Sequence, residues 1–396
     1  GRVIEALYSR PFLTYGSIGT ACGLAEFKDG QLSVWSHCQG PTILRNWIAT
    51  ALGMETAKVN VFHRQGSGAY GHNTADDAAF DAAYLATRMP GKTVRVVWTR
   101  EDEFSSAPIS TAMAIGLRAM LDSDNKPADW TIEIWSPPHA QRPGMNGNSN
   151  LTAAEALPNA PEPKPIGDIP DDRGGGATRN SFPIYDLPRH RLVHHMIPGA
   201  PLRTSSLRGL GAWANVFAIE SFMDELAHAT KQDPLAFRLK ILKPKWAAVL
   251  KAAADKAGYG KPLPKGHFHG VAVTNNVGSF TAQVAEVSIE KGKAKVHKLT
   301  IATDCGYNVN PFITRQQLEG GSVYGLAAAT KGQITIERGR VQQSNFNNYD
   351  VTRIDEMPKV ECFIVPSTEA PGGQGEAATP STAPAIANAK IGRAHV

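Results

Sequence analysis

Glu376 stands in PGGQGEAATP, where flanking glycines let a backbone come close to a ligand and a lone carboxylate can take up a proton. An exposed loop glutamate is the plainer alternative. Arg203 and Arg208 share PLRTSSLRGLGAW, a glycine-containing loop ahead of a helical pattern. A guanidinium fork there can clamp an anion or an oxo group, or simply face water. Gly66-Ser67-Gly68-Ala69-Tyr70-Gly71 satisfies G-x-G-x-x-G, follows the strand-like VNVFH and precedes a helix, with Glu101 and Asp102 after the next strand. That is the layout of a dinucleotide site. Against it, Asp76 and Asp77 fall in the first helical turn, where they complement the helix dipole but repel a pyrophosphate. A tight glycine-rich turn without a ligand is the other reading. Gly91-Lys92-Thr93 lacks the earlier glycine of a phosphate loop and leads into a strand, and no Gly-x-Ser-x-Gly elbow exists.

His194 and His195 are neighbours in a strand-like run, so their side chains point to opposite faces and cannot chelate one metal together. One packed and one exposed imidazole is expected. Cys22, Cys38, Cys305 and Cys362 are widely spaced with no CxxC pair. Neither a zinc ribbon nor an iron–sulfur cluster has its ligands here, and no disulfide framework is expected.

The elements that must carry these residues alternate between two periods. LAEF, LSVW and VNVFH between residues 20 and 62 read as strands, with a helix near Pro41–Gly53. Thr74–Met89 reads as a helix with Thr74 as N-cap, Phe80, Tyr84 and Leu85 on one side, and Pro90-Gly91 ending it ahead of the strand TVRVVW. Residues 136–179 are dense in Pro, Gly and Asn and are expected to be irregular, a functional loop or a surface excursion. Helices follow at about 214–230, at 234–242 behind Asp233, and at 245–257, stopped by Gly258; then HGVAVT, QVAEVSI and KVHKLTIAT return to strands before a helix near 315–330.

With 396 residues, two or three domains are expected. The net charge of +5 comes from interleaved signs without a basic block, which argues against a nucleic-acid partner. No apolar stretch reaches the length of a membrane span. The first residues run straight into strand-like sequence without an initiator Met, so the natural N-terminus is expected upstream, and no compartment is read from it. The last six residues, 391–396, match the translation of a common sequencing adapter and are expected to be an artefact.

Taken in chain order, RPFLTYGSIGTAC, GAYGHNTADDAAFDAA, VVWTREDEF, LRTSSLRGLG with FAIESFMDELAHATKQDPLAFRLKIL, DCGYNVNP, QLEGG and GGQGEAATPSTAPAIANA resemble one family. It is the molybdenum-binding large subunit of the bacterial xanthine dehydrogenase family, especially the isoquinoline 1-oxidoreductase and nicotinate dehydrogenase type. The likeness covers nearly the whole chain. It implies an α+β fold of mixed sheets with packed helices, a molybdopterin-binding domain in two parts, 1–245 (with the loop 136–179) and 246–390.

The resemblance also implies roles. The family's G-G-F-G loop, which turns a backbone amide toward an apical oxo ligand, is matched by Gly68, Ala69, Tyr70 and Gly71. Gln39 in WSHCQG matches a glutamine reaching the same oxo group, Arg208 matches the arginine of an R-G-x-G loop near the metal, and Gln317 matches a glutamine touching the pterin dinucleotide. Gly375 and Glu376 match the G-x-G-E loop whose glutamate is the catalytic base. The implied cofactor is molybdopterin cytosine dinucleotide with molybdenum held through its dithiolene, with no protein ligand to the metal. The implied reaction is hydroxylation of an electron-poor carbon of an N-heteroaromatic compound, or of an aldehyde, with water as the oxygen source. Nearby amides and the metal centre are expected to offset the desolvation of Glu376. A small partner subunit with two [2Fe-2S] clusters would take the electrons, with a cytochrome c as an option beyond it. Family members are much longer, and a separate Gly-Gln-Gly pterin loop is absent here, so the pocket is expected to be incomplete. Two alternatives stand beside this reading. One is a non-catalytic paralogue or scaffold subunit, and the other is a NAD-dependent oxidoreductase using GSGAYG.

Overall fold

The computed structural model describes residues 1–160 and 162–394, the side chains of 391–394 excepted. The assignment of 391–396 to an adapter lies outside the described side chains. The chain begins β1 (Arg2–Arg10), β2 (Cys22–Lys28), β3 (Gln31–Ser36), α1 (Pro41–Leu52), β4 (Val59–His63), α2 (Ala75–Arg88), β5 (Thr93–Val97) and α3 (Arg100–Ser106). It continues β6 (Met113–Leu121), β7 (Pro127–Ser136), α4 (Thr152–Glu155), β8 (His190–Met196), α5 (Ala212–Ala229), α6 (Pro234–Ile241) and α7 (Pro244–Ala257). The last part is β9 (His267–Asn276), β10 (Ser279–Glu290), β11 (Lys293–Asp304), α8 (Pro311–Thr330), β12 (Ile336–Glu337), β13 (Arg340–Val341), β14 (Lys359–Ile364) and α9 (Thr379–Ala394).

Three four-stranded sheets result, ordered β1-β6-β7-β8, β4-β3-β2-β5 and β14-β11-β10-β9. Each is antiparallel except for one parallel edge pairing: β7 with β8, β3 with β4, and β11 with β14. The mixed α+β class is as the sequence implies. Among the described residues no doubly wound parallel sheet, which the dinucleotide alternative needs, is formed.

Alternation explains the first sheet: along β6, Met113, Ile115, Leu117, Ala119 and Leu121 are buried while the residues between them are not. These join Trp130 and Ile132 of β7 and Phe222 of α5 in the largest apolar cluster, which also takes Val271 and Val284 from β9 and β10. The core therefore runs through residue 245 without a break. Backbones come close where α9 crosses β9: a Cβ at Gly270 would lie 2.2 Å from the Ala385 carbonyl and the Ala389 amide. Only glycine allows that approach, which lays the body of α9 directly on β9.

Two local expectations need correction. Thr74 sits at the N-cap position of α2 without capping it; its hydroxyl meets Tyr15 Oη at 2.9 Å and donates to Glu103 Oε1, while Asn73 Oδ1 accepts from the Ala75 amide. Nor does α2 bury Phe80, Tyr84 and Leu85 as one face, since Leu85 is 42% exposed. Its buried face is Phe80 with alanines and the two aspartates Asp76 and Asp77. Small side chains let the helix lie close on β2, a packing that a search for large apolar spacing cannot register. The described residues of segment 136–179 hold only α4 and single helical turns, and α8 begins four residues earlier than its apolar pattern, at Pro311 behind the Asn310 cap. No described helix is long and apolar enough to cross a membrane.

Candidate active site

Loops from distant parts of the chain meet through short backbone bridges. Gly71 pairs with Leu207: the His72 amide donates to the Ser206 carbonyl at 3.0 Å, and the Arg208 amide to the Tyr70 carbonyl at 2.9 Å. On the other edge of the same segment, Ala140 pairs with Ser205, and the Gln141 amide donates to the Thr204 carbonyl at 3.1 Å. The result is a three-stranded platform made of loops. Gly71 has φ +112°, and a Cβ there would fall 2.4 Å from the Ser206 carbonyl oxygen, so the pairing requires glycine. Tyr70 also takes a left-handed φ of 50°, a strain of roughly 1 kcal/mol. Its ring stacks on Tyr324 of α8 at 4.9 Å and 10°, which holds the turn. The amides of Ala69, Tyr70 and Gly71 donate to no described residue.

The Glu376 loop is fastened to the β9–β10 turn and the end of β11. The Gly373 amide donates to the Val277 carbonyl at 2.8 Å, the Gly372 amide to the Cys305 carbonyl at 2.8 Å, and Ser279 Oγ to the Gly373 carbonyl at 2.8 Å. Glu376 follows half-buried, its Oε1 accepting from the Gly209 amide at 3.0 Å and its carbonyl from Asn276 Nδ2 at 3.3 Å. The expected amide partner of the carboxylate is thus Gly209.

Arg208 ties three parts together. Its Nε donates to the Gly375 carbonyl at 2.6 Å, and its Nη2 to the carbonyl and Oε1 of Gln317 at 3.0 and 2.8 Å. Burial pushes its guanidinium below the usual arginine range, opposed by the neighbouring Tyr324, Glu376 and Tyr70. Gln39, exposed after β3, accepts through Oε1 from Arg142 Nη2. Arg142 is likewise lowered by burial and supported by the charges of Asp76 and Glu376.

The structure therefore brings Tyr70, Arg208, Gln317, Gly375 and Glu376 into direct or one-residue contact, and links Gln39 to them through Arg142. Arg203 is elsewhere: it pairs with buried Asp77 at 3.1 Å and donates to the Ser106 and Asn150 carbonyls. Asp76 lies 3.3 Å from His72 Nε2. Both carboxylates at the start of α2 thus hold their own chain, which leaves the dinucleotide alternative without support. His194 is half-buried and His195 exposed, the latter stacked on Trp135 at 4.8 Å beside Glu133. Arg142 was missed by sequence reasoning, because an arginine beside proline in an aperiodic loop carries no positional signal.

Among the described residues no group of three or more His, Cys, Asp or Glu could hold a metal ion. What converges instead is a set of donors, the amides of 69–71, two guanidiniums and a carboxamide, around one carboxylate. A Cβ at Gly375 would meet nothing within 4 Å, so the loop opens on free space. This set fits an anionic, oxo-bearing group held by hydrogen bonds, with the carboxylate free to accept a proton.

Comparison with known proteins agrees with that chemistry. Residues 2–137 and 217–358 each match a molybdopterin cofactor-binding domain model. The chain is similar to a nicotinate dehydrogenase polypeptide of Pseudomonas putida, 31% identical over 408 residues, which cover 96% of this chain and 32% of that protein. It is also similar to the beta polypeptide of isoquinoline 1-oxidoreductase from Brevundimonas diminuta, 28% identical over 91% of this chain and 45% of that protein. The chain thus spans less than half the length of these relatives. Among solved structures, CO dehydrogenase from Oligotropha carboxidovorans shares the fold, with a TM-score of 0.77 at 14% identity over 98% of this chain and 72% of that one.

Proposed function

The chain belongs to the molybdenum-binding large subunits of the xanthine dehydrogenase family, and from that premise we propose that Glu376 is the general base of a hydroxylase. The substrate class is an N-heteroaromatic ring with an electron-poor carbon, with an aldehyde second; water is the oxygen source. The observation that carries this is the Glu376 carboxylate held by the Gly209 amide at 3.0 Å beside the Arg208 clamp. The relatives named for nicotinate and isoquinoline support the ring preference.

When bound, the molybdenum cofactor supplies the two-electron oxidation that hydroxylation with water requires. The protein does the rest. The Gly209 N–H occupies Oε1 of Glu376 and leaves Oε2 to take the proton. Arg208 fixes the carbonyl of the preceding residue, Gly375, so the base cannot swing away. The amides of Ala69, Tyr70 and Gly71, with Gln39 Nε2, would hold the oxo side of the cofactor, and Gln317 its pterin dinucleotide. We take that dinucleotide to be the cytosine form. The free and scattered cysteines support electron exit through a small two-cluster [2Fe-2S] subunit, with a cytochrome c beyond it.

The test is molybdenum and released cytidine nucleotide per polypeptide in the full-length protein coexpressed with its small iron–sulfur subunit. Near-stoichiometric amounts of both are expected, and Glu376→Gln should abolish turnover while keeping the metal. A folded complex without molybdenum, or near-normal turnover in the variant, would overturn the proposal.

A further inference from the structure

The irregular segment 136–179 delivers one side chain to the site that the family motifs leave unassigned. Arg142 is held at both ends of its peptide: its amide donates to the Ala140 carbonyl at 2.8 Å, and its own carbonyl accepts from the Met145 amide and from Asn150 Nδ2. Ala140 and Gln141, just before it, are paired to the segment that carries Arg208. Arg142 and Arg208 thus stand on one platform. The half-buried guanidinium lies in the field of Asp76 and Glu376, and donates through Nη2 to Gln39 Oε1.

A guanidinium carries donors and no acceptor. Whatever atom of Gln39 faces it must be the carbonyl oxygen, and the amide nitrogen is turned the other way. An unrestrained glutamine could present either end of its carboxamide, and the oxygen end would repel an oxo group. We infer that Arg142 is a positioning residue that locks the amide sense of Gln39, so that Gln39 can only donate to the oxo-bearing group held by the amides of Ala69, Tyr70 and Gly71. The inference rests on the hydroxylase reading above, and it gives the aperiodic loop a defined task.

The test is a double-mutant cycle in the full-length, cofactor-loaded complex, with Arg142→Met, Gln39→Ala and the pair together, and Arg142→Lys as the conservative variant. Arg142→Met should keep its molybdenum and lower kcat by roughly 10- to 100-fold, the scale of removing one oriented donor, with a smaller effect on KM. The double variant should be no slower than Gln39→Ala alone, and Arg142→Lys should recover part of the rate. The paramagnetic signal of half-reduced molybdenum should shift in Arg142→Met toward that of Gln39→Ala. Costs that multiply in the cycle, or a signal in Arg142→Met identical to the parent's, would overturn the inference while leaving the hydroxylase reading intact. A parent complex that loads no molybdenum would overturn the hydroxylase reading and this inference with it.

Discussion

Arg208 is the residue on which the candidate site turns. Its fork reaches the Gly375 carbonyl and both oxygens of Gln317 at once, which a single ammonium group cannot do. Arg208→Lys should therefore retain molybdenum but lose roughly 100-fold in turnover through misplacement of the neighbouring Glu376; metal analysis and steady-state rates on the same preparation check this, and parental turnover would show that the loop holds itself. At this scale the sequence was uneven as a guide. Glu376 and Arg208 sit in glycine-bearing motifs whose chemistry can be argued from type and spacing. Arg203, offered on the same grounds, spends its donors on Asp77 and two carbonyls. Arg142 gave no sign at all, because its importance comes from a tertiary pairing with Gln39 and not from any local pattern.

At the level of elements, the platform of loops is supported by histidines that burial keeps neutral. His139 is fully buried, donating its amide to Asp168, with Nε2 against Thr111 and Ser136. Burial lowers its pKa well below the usual 6.5, and burial also lowers that of His72, opposed there by the neighbouring Asp76. In the unfolded chain both imidazoles take up a proton below about 6.5. The unfolded state then binds more protons than the folded one, so stability is full above that pH and falls as the pH drops. The slope should approach roughly 1 kcal/mol per pH unit from His139, with His72 adding in the same direction. Denaturant unfolding at pH 7, 6 and 5 measures it, and His139→Gln should flatten it; an unchanged slope would remove His139 as a contributor. Gly71→Ala should weaken the same platform, because the added Cβ meets the Ser206 carbonyl, and a stability equal to the parent's would contradict that geometry. Alternation revealed strands such as LSVW of β3, while β6 was not singled out. At the start of α2 the position was legible but the roles of its buried polar residues were not, because these answer to Arg203, His72, Tyr15 and Glu103, all outside the helix.

For the molecule as a whole, one ionic cluster links the parts. Arg238 of α6 lies 3.0 Å from Glu220 and 2.6 Å from Asp224 of α5, all three buried. Tyr185 Oη and the Val273 amide donate to the same Glu220 carboxylate, and Asn388 of α9 to its carbonyl. Arg238→Ala would leave two carboxylates uncompensated in the core. The expected loss is about 3–5 kcal/mol of unfolding free energy, measured by denaturant titration; a loss under about 1 kcal/mol would mean that the carboxylates simply take up protons. The cluster was invisible beforehand for the same reason as Arg142: charge patterning along one helix does not reveal what a second helix brings to it.

The hydrogen bond from Gly209 to Glu376 spans 167 residues of chain. During synthesis Tyr70, Arg142 and Arg208 therefore leave the ribosome long before their partner carboxylate exists. A growing polypeptide can assemble the platform but not the closed site, so a fully formed pocket exists only after the segment carrying Glu376 has emerged and folded back onto Gly209.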